Sequence, residues 1–313
     1  MGERPSQGFA DRLAALVEER RSQIVLGLDP DPSALWPGAV EAGASSSEPE
    51  RVAELTAAAV ERHCRAAIDA AGPACVGVKP QLACFERLGA AGWAALEAVV
   101  RAAHDAGLLL IADGKRGDVP VTARAYAQAL VGETDGPYGP VRGLDVDAFT
   151  ANPLLGRDAL APLVEAAAAA RAGVFVLVRT SNPGAAEIQD EPPDDPLHER
   201  LARIVDELGS PHRGASGLSD IGAVTGATRP DLLERLRALM PAAVFLLPGV
   251  GAQGGSAADL GPAFKGAPHP AGGLIASSRS IVGAHRERGG DPQRAAAAAA
   301  EELRAAAWAA ATA

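Results

Sequence analysis

Leu108-Leu-Leu-Ile-Ala112 runs directly into Asp113-Gly-Lys115-Arg-Gly-Asp118, and Pro120-Val-Thr122 then opens a helical window over residues 121–131. A short, continuous apolar run fits a strand buried on both faces, as in a parallel sheet. Proline near the first helical position fits a helix start. The passage is therefore one unit of strand, charged turn and helix.

The same unit recurs along the chain. Apolar runs stand at 24–28, 75–78, 108–112, 144–148, 174–178, 221–224, 244–247 and 274–276, with helical windows at 50–71, 92–106, 121–131, 157–170, 197–208, 230–239, 256–264 and 293–309. A further helical window, 8–21, precedes the first strand. Eight β-then-α units predict an α/β fold, a single-domain (βα)8 TIM barrel over residues 1–313. A doubly wound open sheet is the alternative, but the first turn reads Gly27-Leu-Asp29-Pro-Asp-Pro32 and lacks the glycine spacing of a dinucleotide site. Segments 39–48, 132–142 and 184–196 are rich in Gly, Pro, Ser or acidic residues and are expected as loop insertions. The Ala-rich tail is expected to be a terminal helix.

Composition narrows the function. A net charge of -10 argues against a nucleic-acid binder, which needs a basic face. Cys64, Cys75 and Cys84 form no CxxC pair and fit reduced thiols in a cytoplasmic protein. The first residues carry no basic segment followed by an apolar core, so no signal peptide is expected. The longest apolar stretch, 160–178, is interrupted by Glu165 and Arg171, so no membrane span is expected. The six histidines form no HxH or HExxH pattern, and no metal site is expected.

In a barrel the chemistry gathers at the carboxyl ends of the strands. Those positions hold Asp29, Lys79, the Asp113/Lys115/Asp118 cluster, then Asp147, Thr150 and Asn152, then Arg179-Thr-Ser181-Asn182, and finally Pro248-Gly-Val-Gly251-Ala-Gln253-Gly-Gly255 and Arg279. If the third strand reaches Lys115, its two-residue period places Asp113 and Lys115 on one side. An inward carboxylate beside an inward ammonium must be paired. Lys79 adds a second cation, giving an alternating array that reads either as a structural salt-bridge network or as catalytic machinery.

The chain has 26 arginines and three lysines, Lys79, Lys115 and Lys265. Arginine keeps its proton, whereas lysine can release one. Two of the three lysines at strand ends therefore point to proton transfer or covalent chemistry, and Lys265 reads as a surface charge. Near the end of the barrel, the glycine-rich loop 248–255, with Gly251 and Gln253, reads as a nest of N–H groups followed by a helix start at Ser256; Arg279 adds a fork of donors, and together they suit a phosphate. Asp118 reads alternatively as a helix N-cap.

On these residues the chain resembles the orotidine 5'-phosphate decarboxylases, in the longer bacterial branch. The resemblance rests on Asp113, Lys115 and Asp118 combined with Val78-Lys79-Pro80, Thr180-Ser181-Asn182-Pro-Gly184 and Pro248-Gly-Val-Gly-Ala-Gln253. It implies a homodimeric (βα)8 barrel that turns orotidine 5'-phosphate into UMP and CO2 without metal or organic cofactor. It implies Lys115 as proton donor to C6, Asp113 as the carboxylate against the departing group, and Lys79 and Asp29 on the ribose. It further implies Asp118 reaching the partner subunit's site with Thr122 nearby, Ser181 on the pyrimidine, and Gln253 and Arg279 on the phosphate. Where shorter relatives carry Gly-Arg after the last strand, this chain has Ser277-Ser-Arg279, and Pro120 stands where many relatives have Gly. Rival readings of the same residues are a Mg2+-dependent sugar-phosphate decarboxylase of the superfamily, a Schiff-base aldolase and a non-catalytic nucleotide-binding barrel.

Overall fold

Eight parallel strands close on one another in a computed structural model that describes residues 6–251 and 253–312. Met1–Pro5 at the start of the chain, Ala252 of the glycine-rich loop and Ala313 of the tail lie outside the described residues. The strands are β1 (Ile24–Leu28), β2 (Gly77–Pro80), β3 (Leu109–Arg116), β4 (Ala148–Ala151), β5 (Gly173–Arg179), β6 (Ser219–Thr225), β7 (Ala243–Pro248) and β8 (Gly273–Ser277). Each pairs with its neighbours in sequence, and β8 closes onto β1 with Ile24 opposite Ile275. The expected (βα)8 barrel is the observed fold.

Strand alternation sorts the apolar residues into two layers. Ile24, Leu26 and Leu28 face outward onto Val60, Cys64 and Ile68 of helix Pro49–Ala71, while Val25, Val76, Ile111 and Phe175 fill the barrel interior. Helix Phe9–Arg20 closes the amino-terminal end of that interior. Its Phe9 meets Phe175 edge-on at 5.7 Å, and Gly173 is needed there because a Cβ would come within 2.5 Å of the Phe9 ring. Asp220 accepts the Ala10 N–H at 2.7 Å, and Arg20 donates to four carbonyls of neighbouring loops, among them Cys75 at 2.8 Å.

One strand lies elsewhere than the sequence predicts. The fourth run was expected at 144–148, and the strand is Ala148–Ala151. The N–H groups of Leu144 and Val146 instead donate to the carbonyls of Ala129 and Leu130 at the end of helix Pro120–Leu130, and Asp145 turns the chain at φ 57°. Spare helix carbonyls claimed those amides. As a result Asp147 is not at the catalytic end. It sits at the opposite end of the barrel, bonded to Arg12, His104 and the Leu110 N–H.

Two further expectations change. Window 256–264 is not one helix but a 3-10 turn, Ala257–Leu260, followed by Gly261–Phe264, broken at Gly261-Pro262. Insertion 132–142 carries a two-residue antiparallel ladder, Glu133 with Arg142 and Thr134 with Val141. Insertion 184–196 is tied back to the barrel by Asp190, which receives Arg179 of β5 through two bonds of 2.7 and 3.0 Å. Arg179 is thereby structural. Among the described residues no helix is long and apolar enough to cross a membrane.

Candidate active site

At the carboxyl end of the barrel the ends of β1, β2 and β3 bring Asp29, Lys79, Asp113 and Lys115 to one cleft of about 390 Å3. Lys79 Nζ donates to Asp113 Oδ2 at 2.5 Å, and Lys115 Nζ donates to Asp113 Oδ1 at 2.6 Å. Lys79 and Asp113 are buried, whereas the Lys115 side chain is 44% exposed and faces the cleft. Burial by itself would raise the Asp113 pKa, but Lys79 and then Lys115 outweigh it and hold the carboxyl at about 2. Burial likewise works against a charged Lys79, and Asp113 followed by Asp29 overcomes it, so the Lys79 pKa lies above its ordinary value. Asp113 and Lys79 are thus both ionised throughout the neutral range.

The expectation that β3 would extend to Lys115 and place it beside Asp113 is met with a distortion. The register of β3 against β4 shifts between Ala112 and Arg116, and Lys115 adopts φ 49°. A left-handed non-glycine residue in a strand bulge is typical of a side chain re-aimed at a functional site. The Lys115 N–H leaves the ladder and donates to Thr150 Oγ1 at 2.9 Å.

The opposite wall comes from the loops after β5, β7 and β8. Ser181, Gln253 and Arg279 all line the cleft. Among the described residues no carboxylate pairs with Arg279, whose exposed guanidinium begins the short helix Arg279–Val282. Gly27 lets β1 pass close beneath this loop, since a Cβ there would stand 2.7 Å from Ser278 Cβ. Gly251 does not line the cleft. Its N–H donates to the Gly255 carbonyl at 2.8 Å, and the Gly254 and Gly255 amides are likewise spent inside the loop. Three amides of the nest expected over residues 248–255 are therefore bonded within the loop, and a 3-10 turn, Ala257–Leu260, follows Ser256 where a longer helix was expected.

Asp118 and Thr122 stand apart from the array and do not line the cleft. The Asp118 carboxylate accepts the adjacent Val119 N–H at 2.7 Å. It is not the helix N-cap, since Val119 occupies that position with no side-chain bond. Lys265 pairs with Glu234 at 3.3 Å on the surface, in keeping with its reading as a plain charge.

Sequence reasoning missed Gln81, whose Nε2 approaches Asp113 Oδ2 at 3.4 Å, and gave Thr150 no role. Thr150 is buried on β4 and donates to Asp113 Oδ1 at 3.0 Å. Its position two residues past an apolar run was visible, but the misplaced fourth strand hid which way it points.

The chain matches the family model described as "Orotidine 5'-phosphate decarboxylase / HUMPS family" over residues 22–299. It is 42% identical to the orotidine 5'-phosphate decarboxylase of Rhodopirellula baltica over 279 residues, covering 89% of each chain. It is 38% identical to that of Deinococcus radiodurans over 286 residues, covering 89% of this chain and 93% of the relative. Among solved structures, the OMP decarboxylase of Leishmania donovani superposes with a TM-score of 0.69 at 31% identity, covering 96% of this chain and 99% of that one. With a matching model over most of its length and relatives well above 30% identity, the chain belongs to the orotidine 5'-phosphate decarboxylase / HUMPS family.

Proposed function

We propose that the chain decarboxylates orotidine 5'-phosphate to UMP and CO2, the closing step of pyrimidine nucleotide synthesis, with Lys115 as the proton donor. The observation that carries this reading is the ionised Asp113 held between Lys79 and Lys115 in a cleft whose far wall presents Gln253 and Arg279. A carboxylate there repels the substrate's own carboxylate more than it opposes the transition state, in which that charge is leaving. The C6–CO2 bond breaks, and its electron pair stays on C6. The Lys115 ammonium stabilises the growing negative charge and delivers a proton to C6, ending as an amine that water reprotonates.

The remaining roles follow the cleft's layout. Arg279 and Gln253 grip the phosphate, Ser181 contacts the pyrimidine, and Lys79 with Asp29 holds the ribose. Binding energy from the distant phosphate organises the reacting end. Both oxygens of Asp113 are already taken by lysines. That donor set supports direct electrostatic chemistry over a carboxylate-bound divalent cation.

We further propose a cytoplasmic homodimer in which Asp118 serves the partner's site. The support is that Asp118 lies outside its own cleft, next to Val119 and Val121, which are 54% and 84% exposed. The test of the function is loss of orotidine 5'-phosphate absorbance with stoichiometric UMP formation. Turnover insensitive to EDTA is expected. Nucleotide binding without turnover, or turnover abolished by EDTA, would overturn the reading in favour of a binding barrel or a metal-dependent enzyme.

A further inference from the structure

We propose that Thr150 is a positioning residue, its single hydroxyl fixing both the Asp113 carboxylate and the backbone that presents Lys115. The inference rests on the decarboxylase reading above and extends it to a residue that contacts the array from the neighbouring strand. Thr150 is buried in the middle of β4, in register with Phe175 of β5. Its Oγ1 accepts the Lys115 N–H at 2.9 Å and donates to Asp113 Oδ1 at 3.0 Å.

A hydroxyl has one proton and two lone pairs. With a lone pair occupied by the amide, the proton is directed at Asp113, so the two bonds are made in a fixed sense. Asp113 then receives four donors. Thr150 and Lys115 reach Oδ1, and Lys79 and Gln81 reach Oδ2. Four donors match the acceptor sites of an ionised carboxylate and leave it no freedom to rotate.

The other half of the device is backbone. The bulge in β3 removes the Lys115 amide from the ladder, and Lys115 sits at φ 49°. A partly buried amide outside a ladder needs an acceptor, and Thr150 supplies it. The Lys115 Nζ is thus placed from two directions by β4, through its own main chain and through Asp113. Valine would fill the same space and keep the strand, so packing alone does not require threonine here.

The groups around Asp113 are Lys79 and Gln81 from β2 and its following turn, Lys115 on its own strand and Thr150 on β4, with Asp29 just after β1 acting on Lys79. Removing the Thr150 proton withdraws one donor from the ionised form. The Asp113 titration therefore moves upward.

The experiment compares Thr150→Val with Thr150→Ser by steady-state turnover of orotidine 5'-phosphate and by 13C NMR titration of the Asp113 carboxyl. Thr150→Val is expected to lower kcat by roughly 10²-fold through misplacement of Lys115, with KM little changed because the phosphate grip is on the far wall. Its Asp113 midpoint rises, and Thr150→Ser restores both readouts. Wild-type kcat and midpoint in Thr150→Val, or equal damage in Thr150→Ser, would overturn the proposal. If the valine variant does not fold, Thr150→Ala against Thr150→Ser makes the same comparison. Absence of turnover in the wild type would defeat the decarboxylase reading instead, and the Asp113 titration would still decide the role of Thr150.

Discussion

Lys115 Nζ lies 2.6 Å from Asp113 Oδ1, although a strand bulge and a left-handed backbone at Lys115 intervene between the two residues. The contact puts a mobile proton and a fixed negative charge side by side at the mouth of the barrel. Lys79 completes the arrangement from below, and its buried ammonium has Asp113 as its carboxylate partner.

Asp113 also ties stability to pH. Its folded pKa is held near 2 against an ordinary value of 3.8, so its stabilising contribution is complete above pH 3.8 and disappears as pH falls toward 2. The shift corresponds to about 2 kcal/mol. Urea unfolding from pH 5 down to pH 2 is expected to show a steeper loss of stability for the wild type than for Asp113→Asn. Parallel curves for the two proteins would refute the linkage. At neutral pH Asp113→Asn is expected to be the less stable, because the buried Lys79 loses its counter-charge.

Arg279 is expected to act on binding. Its guanidinium faces the cleft, and among the described residues it has no carboxylate partner to retain it. Arg279→Ala should raise KM for orotidine 5'-phosphate by about 10- to 100-fold, the loss of a charge-assisted hydrogen bond. Turnover of the nucleoside orotidine, which has no phosphate, should be unaffected by the same substitution. An equal loss on both substrates would place Arg279 outside the phosphate site.

Asp118 offers a test of the shared site. Lys115→Ala and Asp118→Ala proteins are each expected to be nearly inactive. Mixed under conditions that exchange subunits, they should regain activity, since one hybrid site then contains an intact Lys115 and an intact Asp118. Subunit exchange without recovery would confine Asp118 to its own chain.

Much of this molecule is legible in its sequence, and the exceptions share a cause. Seven of the eight strands are visible because residues such as Ile24–Leu28 and 244–247 are buried on both faces and therefore apolar. Lys79, Asp113 and Lys115 stand out because charged residues directly after such runs have to be paired, and because lysine is so rare here. The fourth strand is displaced because Leu144 and Val146 are apolar without being extended. Their amides complete a helix end, a hydrogen-bonding demand that hydropathy does not register. The same displacement concealed Thr150 and put Asp147 at the wrong end of the barrel. Glycine spacing in the loop 248–255 suggested a nest of N–H groups, but it does not reveal that the Gly251 amide is consumed by Gly255. Asp118 is identifiable by spacing from Lys115, yet its own cleft gives it nothing to do.

The central claim is that the Lys115 ammonium delivers the proton that replaces the departing carboxylate. It is tested most directly by following the loss of orotidine 5'-phosphate absorbance with wild-type and Lys115→Ala protein at equal enzyme concentration. The account predicts steady turnover by the wild type and a fall in kcat of at least ~10²-fold in the variant, the lower range for removal of a general acid. Wild-type turnover by Lys115→Ala would contradict it.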